Sequence, residues 1–153
     1  MLSPQPLCLL VDEYLPAPDQ RPEGTVPVYS ARQLADLLRR FAATEPRIVS
    51  VTVAGGPTLT VGVGGDLAAV TVAPYLNSRL DSDPSRLASW TACARAPYAA
   101  EHREYLHEGL AYEFGTKTLM PLEEVVQIVL FVVEHHSLPA THEWVGDEGT
   151  FEL

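Results

Sequence analysis

The chain has 153 residues, of which 46% are hydrophobic, and a formal net charge of −10 at pH 7. This length corresponds to one ordinary domain, and the apolar content excludes wholesale disorder. The acidity argues against nucleic acid and anionic membranes as partners and favours a basic protein. No apolar run reaches the roughly 18 residues that a membrane-spanning helix needs.

The negative charge is concentrated at one end of the chain. Residues 110–153 contain eight acidic residues and one basic residue, which gives −7 of the total charge. The two cysteines, Cys8 and Cys93, have no CxxC spacing, so we expect a reducing compartment and a cytoplasmic location. The Arg-rich, Ala-rich composition is typical of a GC-rich bacterial genome.

The first third of the chain predicts a strand, a loop and a helix. The short apolar run Leu7–Val11 indicates a strand, and the Pro-rich residues 15–28 indicate a loop. Ser30 has the position of an N-cap, and Gln33 completes a capping box. The helix then carries one apolar stripe and ends at Glu45-Pro46. That stripe consists of Leu34, Leu37, Leu38 and Phe41.

Three strands with short turns follow the helix. Alternating apolar residues predict strands over Ile48–Ala54, Thr58–Val63 and Leu67–Val72. Gly55-Gly56-Pro57 and Gly64-Gly65-Asp66 predict the two turns, because glycine adopts positive φ at low cost. These glycines lie between strands and not before a helix, which favours hairpin turns over a phosphate-binding loop.

The middle of the chain gives a weaker pattern. Residues 80–109 predict an irregular or partly helical insert, since Ala is frequent over Leu87–Leu106 but Pro97 interrupts it. Leu110–Phe114 alternates like a strand.

The C-terminal third predicts a helix, a strand and a tail. A helix begins at Pro121 with two Glu in its first turn, although its apolar sequence also allows a buried strand. Thr141–Val145 predicts a last strand, and residues 146–153 an acidic tail.

These elements predict a single α+β domain over residues 1–153. We expect an antiparallel sheet of about five to six strands with two main helices packed on it. The order along the chain is β-α-β-β-β-(insert)-β-α-β. An open edge strand of such a sheet also makes a homodimer possible.

The sequence contains no catalytic signature and predicts neither a metal nor a cofactor. It lacks GxSxG, and neither cysteine is in a setting typical of a nucleophile. His102 and His107 are five residues apart, which would rotate them by about 140° from each other on a helix. We therefore expect a protein that is not an enzyme.

Two features leave alternatives open. Trp144 has the position either of a core residue or of an interface anchor, where Trp is enriched. Residues 86–113 concentrate aromatic and His side chains, so a small enzyme or ligand-binding protein built on them is a competing hypothesis. These side chains are Trp90, Tyr98, His102, Tyr105, His107 and Tyr112.

The chain resembles immunity proteins of bacterial polymorphic-toxin systems, namely the first-numbered class of the Imm series, which is common in actinobacteria. The resemblance lies in the helix ARQLADLLRRFA, the meander AGGPTLTVGVGGDLAAVTVAPYLNS, the helix start MPLEEVVQ and the ending LPATHEW. It covers roughly residues 30–78 and 110–145, whereas residues 80–109 and the acidic tail depart from it.

This resemblance implies stoichiometric inhibition of a toxin of the nuclease or deaminase type, encoded nearby. A basic cleft in such a toxin would attract an acidic inhibitor. An accessory or regulatory module from an operon without a toxin is the alternative. Charge and the Trp position together suggest partner contacts at Asp66, Asp81, Asp83, Glu143, Trp144, Asp147 and Glu148.

Overall fold

A computed structural model describes residues 5–12, 25–73, 89–107 and 110–146, and the backbone of residues 149–151. In these segments the chain forms two α-helices, α1 (Ala31–Ala42) and α2 (Leu122–His135), and a 3₁₀ helix at Thr116–Thr118. The strands of the same segments are β1 (Cys8–Asp12), β2 (Thr25–Val28), β3 (Arg47–Val53), β4 (Thr58–Val63), β5 (Leu67–Ala73), β6 (Trp90–Ala92), β7 (Arg103–His107), β8 (Leu110–Phe114), β9 (Met120–Pro121), β10 (Trp144–Gly146) and β11 (Gly149–Phe151).

Most of the strands form one continuous antiparallel sheet. Its spatial order is β11-β10-β6-β5-β4-β3-β1-β2. The β7–β8 hairpin joins this sheet through a single parallel bridge between Arg47 and Leu106, and β9 pairs with β5. The predicted α+β class, with two helices packed on an antiparallel sheet, is therefore confirmed.

The two helices cover one face of the sheet. Residues 49, 51 and 53 of β3, 59, 61 and 63 of β4, and 68, 70 and 72 of β5 alternate onto this face and are buried beneath the helices. Burial of one Val or Leu side chain stabilises the fold by about 1.5–3 kcal/mol, so this layer supplies much of the driving force. In the described part of the chain, neither helix has the length and apolarity that a membrane span requires.

Helix α1 begins as its sequence predicts. The Ser30 hydroxyl oxygen accepts a hydrogen bond from the Gln33 N–H at 3.1 Å. The Gln33 side-chain oxygen accepts in turn from the Tyr29 N–H at 2.8 Å, one residue before the expected position. The helix ends at Ala42, where the Ala43 N–H donates to the Arg40 carbonyl at 3.2 Å.

Residues 122–135, for which the sequence allowed either a helix or a buried strand, form helix α2. Pro121 is its N-cap and not its first helical residue. Its nearly continuous apolar sequence is explained by contacts with both α1 and β5. His136 ends the helix in the left-handed conformation, with φ 54°, and its N–H donates to the Val132 carbonyl at 2.8 Å. Glu123 joins the two helices through Arg39 at 2.8 Å.

The strand count exceeds the predicted five to six, because several short strands occur where the sequence predicted none. β2 lies inside the predicted Pro-rich loop, and its Pro27 is tolerated because β2 is an edge strand. Residues 80–109 were predicted to be irregular or partly helical, and their described part, residues 89–107, contains β6 and β7 and no helix. The predicted acidic tail contributes β11. Each of these strands is only three to five residues long and depends on its neighbours for pairing.

The β7–β8 hairpin covers part of the other face of the sheet. Tyr105 and Phe114 pack with Ile48, Leu67 and Ala69 in a second apolar cluster. Their rings pack against Gly62 of β4. A Cβ atom at this residue would lie 2.9 Å from the Phe114 ring and 3.2 Å from the Tyr105 ring. The absence of a side chain at residue 62 therefore lets the hairpin approach the sheet.

Candidate functional site

A cleft of about 560 Å³ lies where the chain leaves β6 and enters β10. The Cys93 N–H donates to the Glu143 carbonyl at 2.8 Å, and the Ala94 N–H donates to the Lys117 carbonyl at 2.7 Å. The first bond joins the two walls of the cleft, and the second connects one wall to the 3₁₀ helix at Thr116–Thr118. The cleft is lined by Cys93, Ala94, Arg95, Ala140, Thr141, His142 and Glu143.

His142, which lines this cleft, forms a buried hydrogen-bonded pair with Glu124. His142 Nε2 lies 2.7 Å from Glu124 Oε1, and the side chains of His142 and Glu124 are only 4% and 10% exposed. Arg95 Nε donates to the same Glu124 oxygen at 3.0 Å. The pair joins the segment before β10 to the first turn of α2, eighteen residues away in sequence.

The protonation of Glu124 is set by competing effects. Burial favours the neutral acid, but hydrogen bonds from His142 and Arg95 and the positive charge of Arg95 outweigh it, so the pKa of Glu124 is lowered. Glu124 is therefore a carboxylate at neutral pH, and it accepts the Nε2 proton of His142. The other ring nitrogen, Nδ1, lies 2.9 Å from the Thr141 hydroxyl.

Among the described residues, the cleft does not bring a nucleophile and a base together. Both ring nitrogens of His142 are engaged, by Glu124 and Thr141. Burial and the nearby Glu143 carboxylate raise the pKa of the Cys93 thiol, although Lys117 opposes them. A thiol with a raised pKa and no imidazole within hydrogen-bonding distance is a poor nucleophile.

The predicted contact residues are placed in different surroundings. Asp66, in the β4–β5 turn, accepts from Arg103 at 2.6 Å, and this hydrogen bond, together with the Asp66 backbone N–H and the charge of Arg103, lowers the pKa of Asp66. Glu143 is exposed at the cleft, whereas His142 and Trp144 on either side of it are buried. The structure therefore brings Glu143 and Trp144 to one region and leaves Asp66 beside the β7–β8 hairpin.

Trp144 is a core residue. Its side chain is 0% exposed, and its indole N–H donates to the Pro139 carbonyl at 3.1 Å. The prediction of Trp144 as a partner contact is corrected accordingly, because a buried ring offers no surface to a partner. The remaining predicted contacts, Asp81, Asp83, Asp147 and Glu148, lie outside the described residues.

The aromatic and His residues of the insert do not converge on this cleft. Tyr105 is buried in the second cluster, and its hydroxyl donates to the Leu67 carbonyl at 2.9 Å. Tyr98 and Tyr112 are exposed. None of the six side chains behind the enzyme hypothesis lines the cleft found in the described segments.

Three exposed side chains on the hairpin could reach one cation. The ligand atoms of His102, Glu104 and Glu113 lie within 4.8 Å of one another. The sequence did not predict this group, because residues 80–109 were expected to be irregular or partly helical and a helix would rotate His102 and His107 away from each other. Residues 103–107 do not alternate between apolar and polar side chains, so Glu104 and Glu113 become neighbours only through the pairing of β7 with β8. That the chain uses no metal or cofactor stays a prediction.

Comparison with known proteins does not assign the chain to a family. No family model matches the chain, and no curated protein sequence matches it either.

Proposed function

We propose that this chain is a non-catalytic binding protein that neutralises a basic partner, namely a toxin of the nuclease or deaminase type, by forming a stoichiometric complex. The observation that carries the proposal is a set of exposed carboxylates without intramolecular cations. Among the described residues, no Lys or Arg pairs with Glu101, Glu104 or Glu143. Carboxylates of this kind are available to Lys and Arg side chains of a partner.

Four arginines of the described residues are engaged with other acids. Arg39 pairs with Glu123, Arg47 with Asp12, Arg95 with Glu124 and Arg103 with Asp66. Their engagement leaves a negative potential over the free carboxylates, and such a potential speeds encounter with a basic surface. It also makes the affinity for that surface depend on salt.

The cleft supports a binding role over a catalytic one. Its imidazole is held by two partners and serves to connect α2 with β10. The two cysteines of the chain are free thiols, which agrees with the proposed action in a reducing cytoplasm. The resemblance to immunity proteins points to the same kind of function.

The test is neutralisation in living cells. The protein encoded by the adjacent gene is expressed in a heterologous bacterial host, with and without this chain. We expect growth arrest by the adjacent-gene protein and its relief by the chain. A toxic neighbour that is not relieved rejects the proposal. A harmless neighbour that nevertheless co-purifies with the chain rejects toxin immunity in favour of an accessory module.

A further inference from the structure

We infer that the cleft beside β10 binds a small molecule with a carboxylate at one end and an ammonium group at the other, which is the chemistry of a free amino acid or a short peptide. Arg95 binds the carboxylate, and Glu143 binds the ammonium group. This inference goes beyond the proposed function and does not depend on it, because it concerns a small ligand and needs no partner protein. The lining residues, 93–95 and 140–143, all belong to the described segments.

The guanidinium of Arg95 is anchored through one nitrogen only. Its Nε donates to Glu124 at 3.0 Å, and Glu124 is itself bonded to the buried His142. Arg95 lines the cleft, and its two terminal nitrogens have no partner among the described residues. A guanidinium has five N–H donors in a rigid plane, and the donors of its terminal nitrogens match the two oxygens of a carboxylate. Glu124 therefore orients Arg95 for bidentate binding of a carboxylate.

Glu143 adds the opposite charge on the other wall of the same cleft. Its side chain is exposed, and no Lys or Arg of the described segments pairs with it. Arg95 and Glu143 thus line one cleft without forming an ion pair, because Arg95 bonds to Glu124 instead. Two opposite charges that face one space without pairing are complementary to a molecule that carries both charges.

The space beside these charges has the size of a small-ligand site. The cleft volume of about 560 Å³ falls within the roughly 300–1,000 Å³ of typical ligand pockets. Ala94 and Ala140 line it with short side chains, which leave room for the body of a ligand. The walls have a fixed separation at their base, because the Cys93 N–H donates to the Glu143 carbonyl at 2.8 Å. A site of this kind is formed before the ligand arrives.

Lys117 places a second cation beside the carboxylate-binding wall. It is the single Lys or Arg of the acidic residues 110–153, and its carbonyl accepts from the Ala94 N–H at 2.7 Å. Its ammonium group is close enough to the Cys93 thiol to oppose the rise in the pKa of that thiol. The only basic side chain of the acidic third therefore lies next to Arg95, where it favours the binding of an anionic group.

Ligand-observed NMR of the full-length chain tests this inference without a partner protein. The probes are the common L-amino acids and a set of alanine-containing dipeptides, so the two sources of the same chemistry are compared directly. The strongest binder is then titrated by calorimetry, together with its N-acetyl and C-amide derivatives. We expect a Kd between about 1 µM and about 1 mM for this compound. Both derivatives should bind at least about tenfold more weakly, since each lacks one of the two charges.

Two variants assign the ends of the ligand. E143Q should weaken binding of the unmodified compound at least about tenfold and change binding of its N-acetyl derivative less than about twofold. R95Q should have the same effects on the unmodified compound and on its C-amide derivative. The matched controls E101Q and R40Q each remove one exposed charge outside the cleft lining and should change the affinity less than about twofold.

A third variant tests the cleft without changing its charges. R95Q also removes a partner of Glu124, whereas A140Y fills the cleft and keeps both charged side chains. A140Y should weaken binding at least about tenfold, because the ligand and the new side chain compete for the same space. Its melting temperature, compared with that of the wild type, verifies that the variant is folded.

The opposing outcomes are equally specific. If no probe binds at about 10 mM, the inference is overturned, while the proposed function stands. Binding that N-acetylation and E143Q both leave unchanged overturns the role of Glu143, and binding that C-amidation and R95Q leave unchanged overturns that of Arg95. Equal losses in E101Q or R40Q would show that the probe responds to the overall charge of the chain and not to the cleft.

Discussion

The imidazole of His142 and the carboxylate of Glu124 form a buried pair, 2.7 Å apart, that connects the entry of β10 to the first turn of α2. The pair has no spare imidazole nitrogen, because Thr141 engages Nδ1 at 2.9 Å. Its effect is therefore structural, and it fixes the position of the segment that carries Glu143. This role gives the pair a pH dependence that can be measured.

Replacing Glu124 with Gln should destabilise the protein by about 1–3 kcal/mol at neutral pH, because a charge-assisted buried hydrogen bond is weakened. The folded state lowers the pKa of Glu124 below its ordinary value of 4.5. Its contribution is therefore fully present above the unfolded-state pKa and disappears as the pH falls through the lowered folded-state pKa. Denaturant unfolding of E124Q and wild type across the acidic range measures this difference. A difference in the free energy of unfolding that stays constant into strong acid would contradict the assignment.

Replacing Tyr105 with Phe should remove the bond to the Leu67 carbonyl and cost about 1–2 kcal/mol. Burial raises the pKa of Tyr105 to about 12 from an ordinary value of 10.0. A raised folded-state pKa gives stability that is fully present below the unfolded-state value and is lost as the pH rises through the folded-state value. The wild type should therefore lose stability between these two values, and Y105F should lose less over the same interval. Equal alkaline losses in the two proteins would show that Tyr105 is not responsible.

Gly64 and Gly55 form a matched pair that separates the cost of an unfavourable backbone conformation from the cost of a steric clash. Both have positive φ, at 127° and 67°, but a Cβ at Gly64 would collide with the backbone of Pro46, whereas no atom lies within 4 Å of a Cβ at Gly55. Gly64→Ala should cost more than about 3 kcal/mol, while Gly55→Ala should cost about 1–2 kcal/mol from conformation alone. Urea unfolding measures both values. Similar losses in the two variants would mean that the turn after β4 moves away from Pro46 at little cost.

Local signals in the sequence were sufficient to predict helix α1 and the meander of β3, β4 and β5. The Ser30–Gln33 cap and the stripe from Leu34 to Phe41 encode the helix within a few residues of its observed ends. The alternation in β3, β4 and β5 predicts three strands, and glycine turns connect them. Residues close together in the chain therefore also determine how these strands pair. Each of these elements is specified by residues that are close together in the chain.

The features that were missed depend on contacts between distant residues. β6 has only three residues, and its pairing with β5 and β10 is not visible in the residues themselves. The frequent Ala around it favours a helix locally, but tertiary pairing overrides this preference. The Glu124–His142 pair requires α2 and β10 to be neighbours, which no local pattern reveals. Burial of Trp144 likewise depends on packing between elements.

The hairpin is an intermediate case, because only one of its strands alternates in the sequence. Leu110, Tyr112 and Phe114 alternate with Ala111 and Glu113, whereas residues 103–107 of β7 do not alternate. The prediction of an irregular or partly helical insert over residues 80–109 left β8 without a partner strand and concealed the opposition of Glu104 and Glu113. A strand assignment from the same residues would have placed both carboxylates on one face.

Titration calorimetry of the wild-type chain with the protein encoded by the adjacent gene tests the central claim most directly. We predict a one-to-one complex whose Kd increases at least about tenfold between about 50 mM and about 500 mM NaCl, because salt screens the exposed carboxylates. The absence of binding at the lower salt concentration would contradict neutralisation by complex formation. A Kd that is the same at both concentrations would contradict the electrostatic basis of recognition.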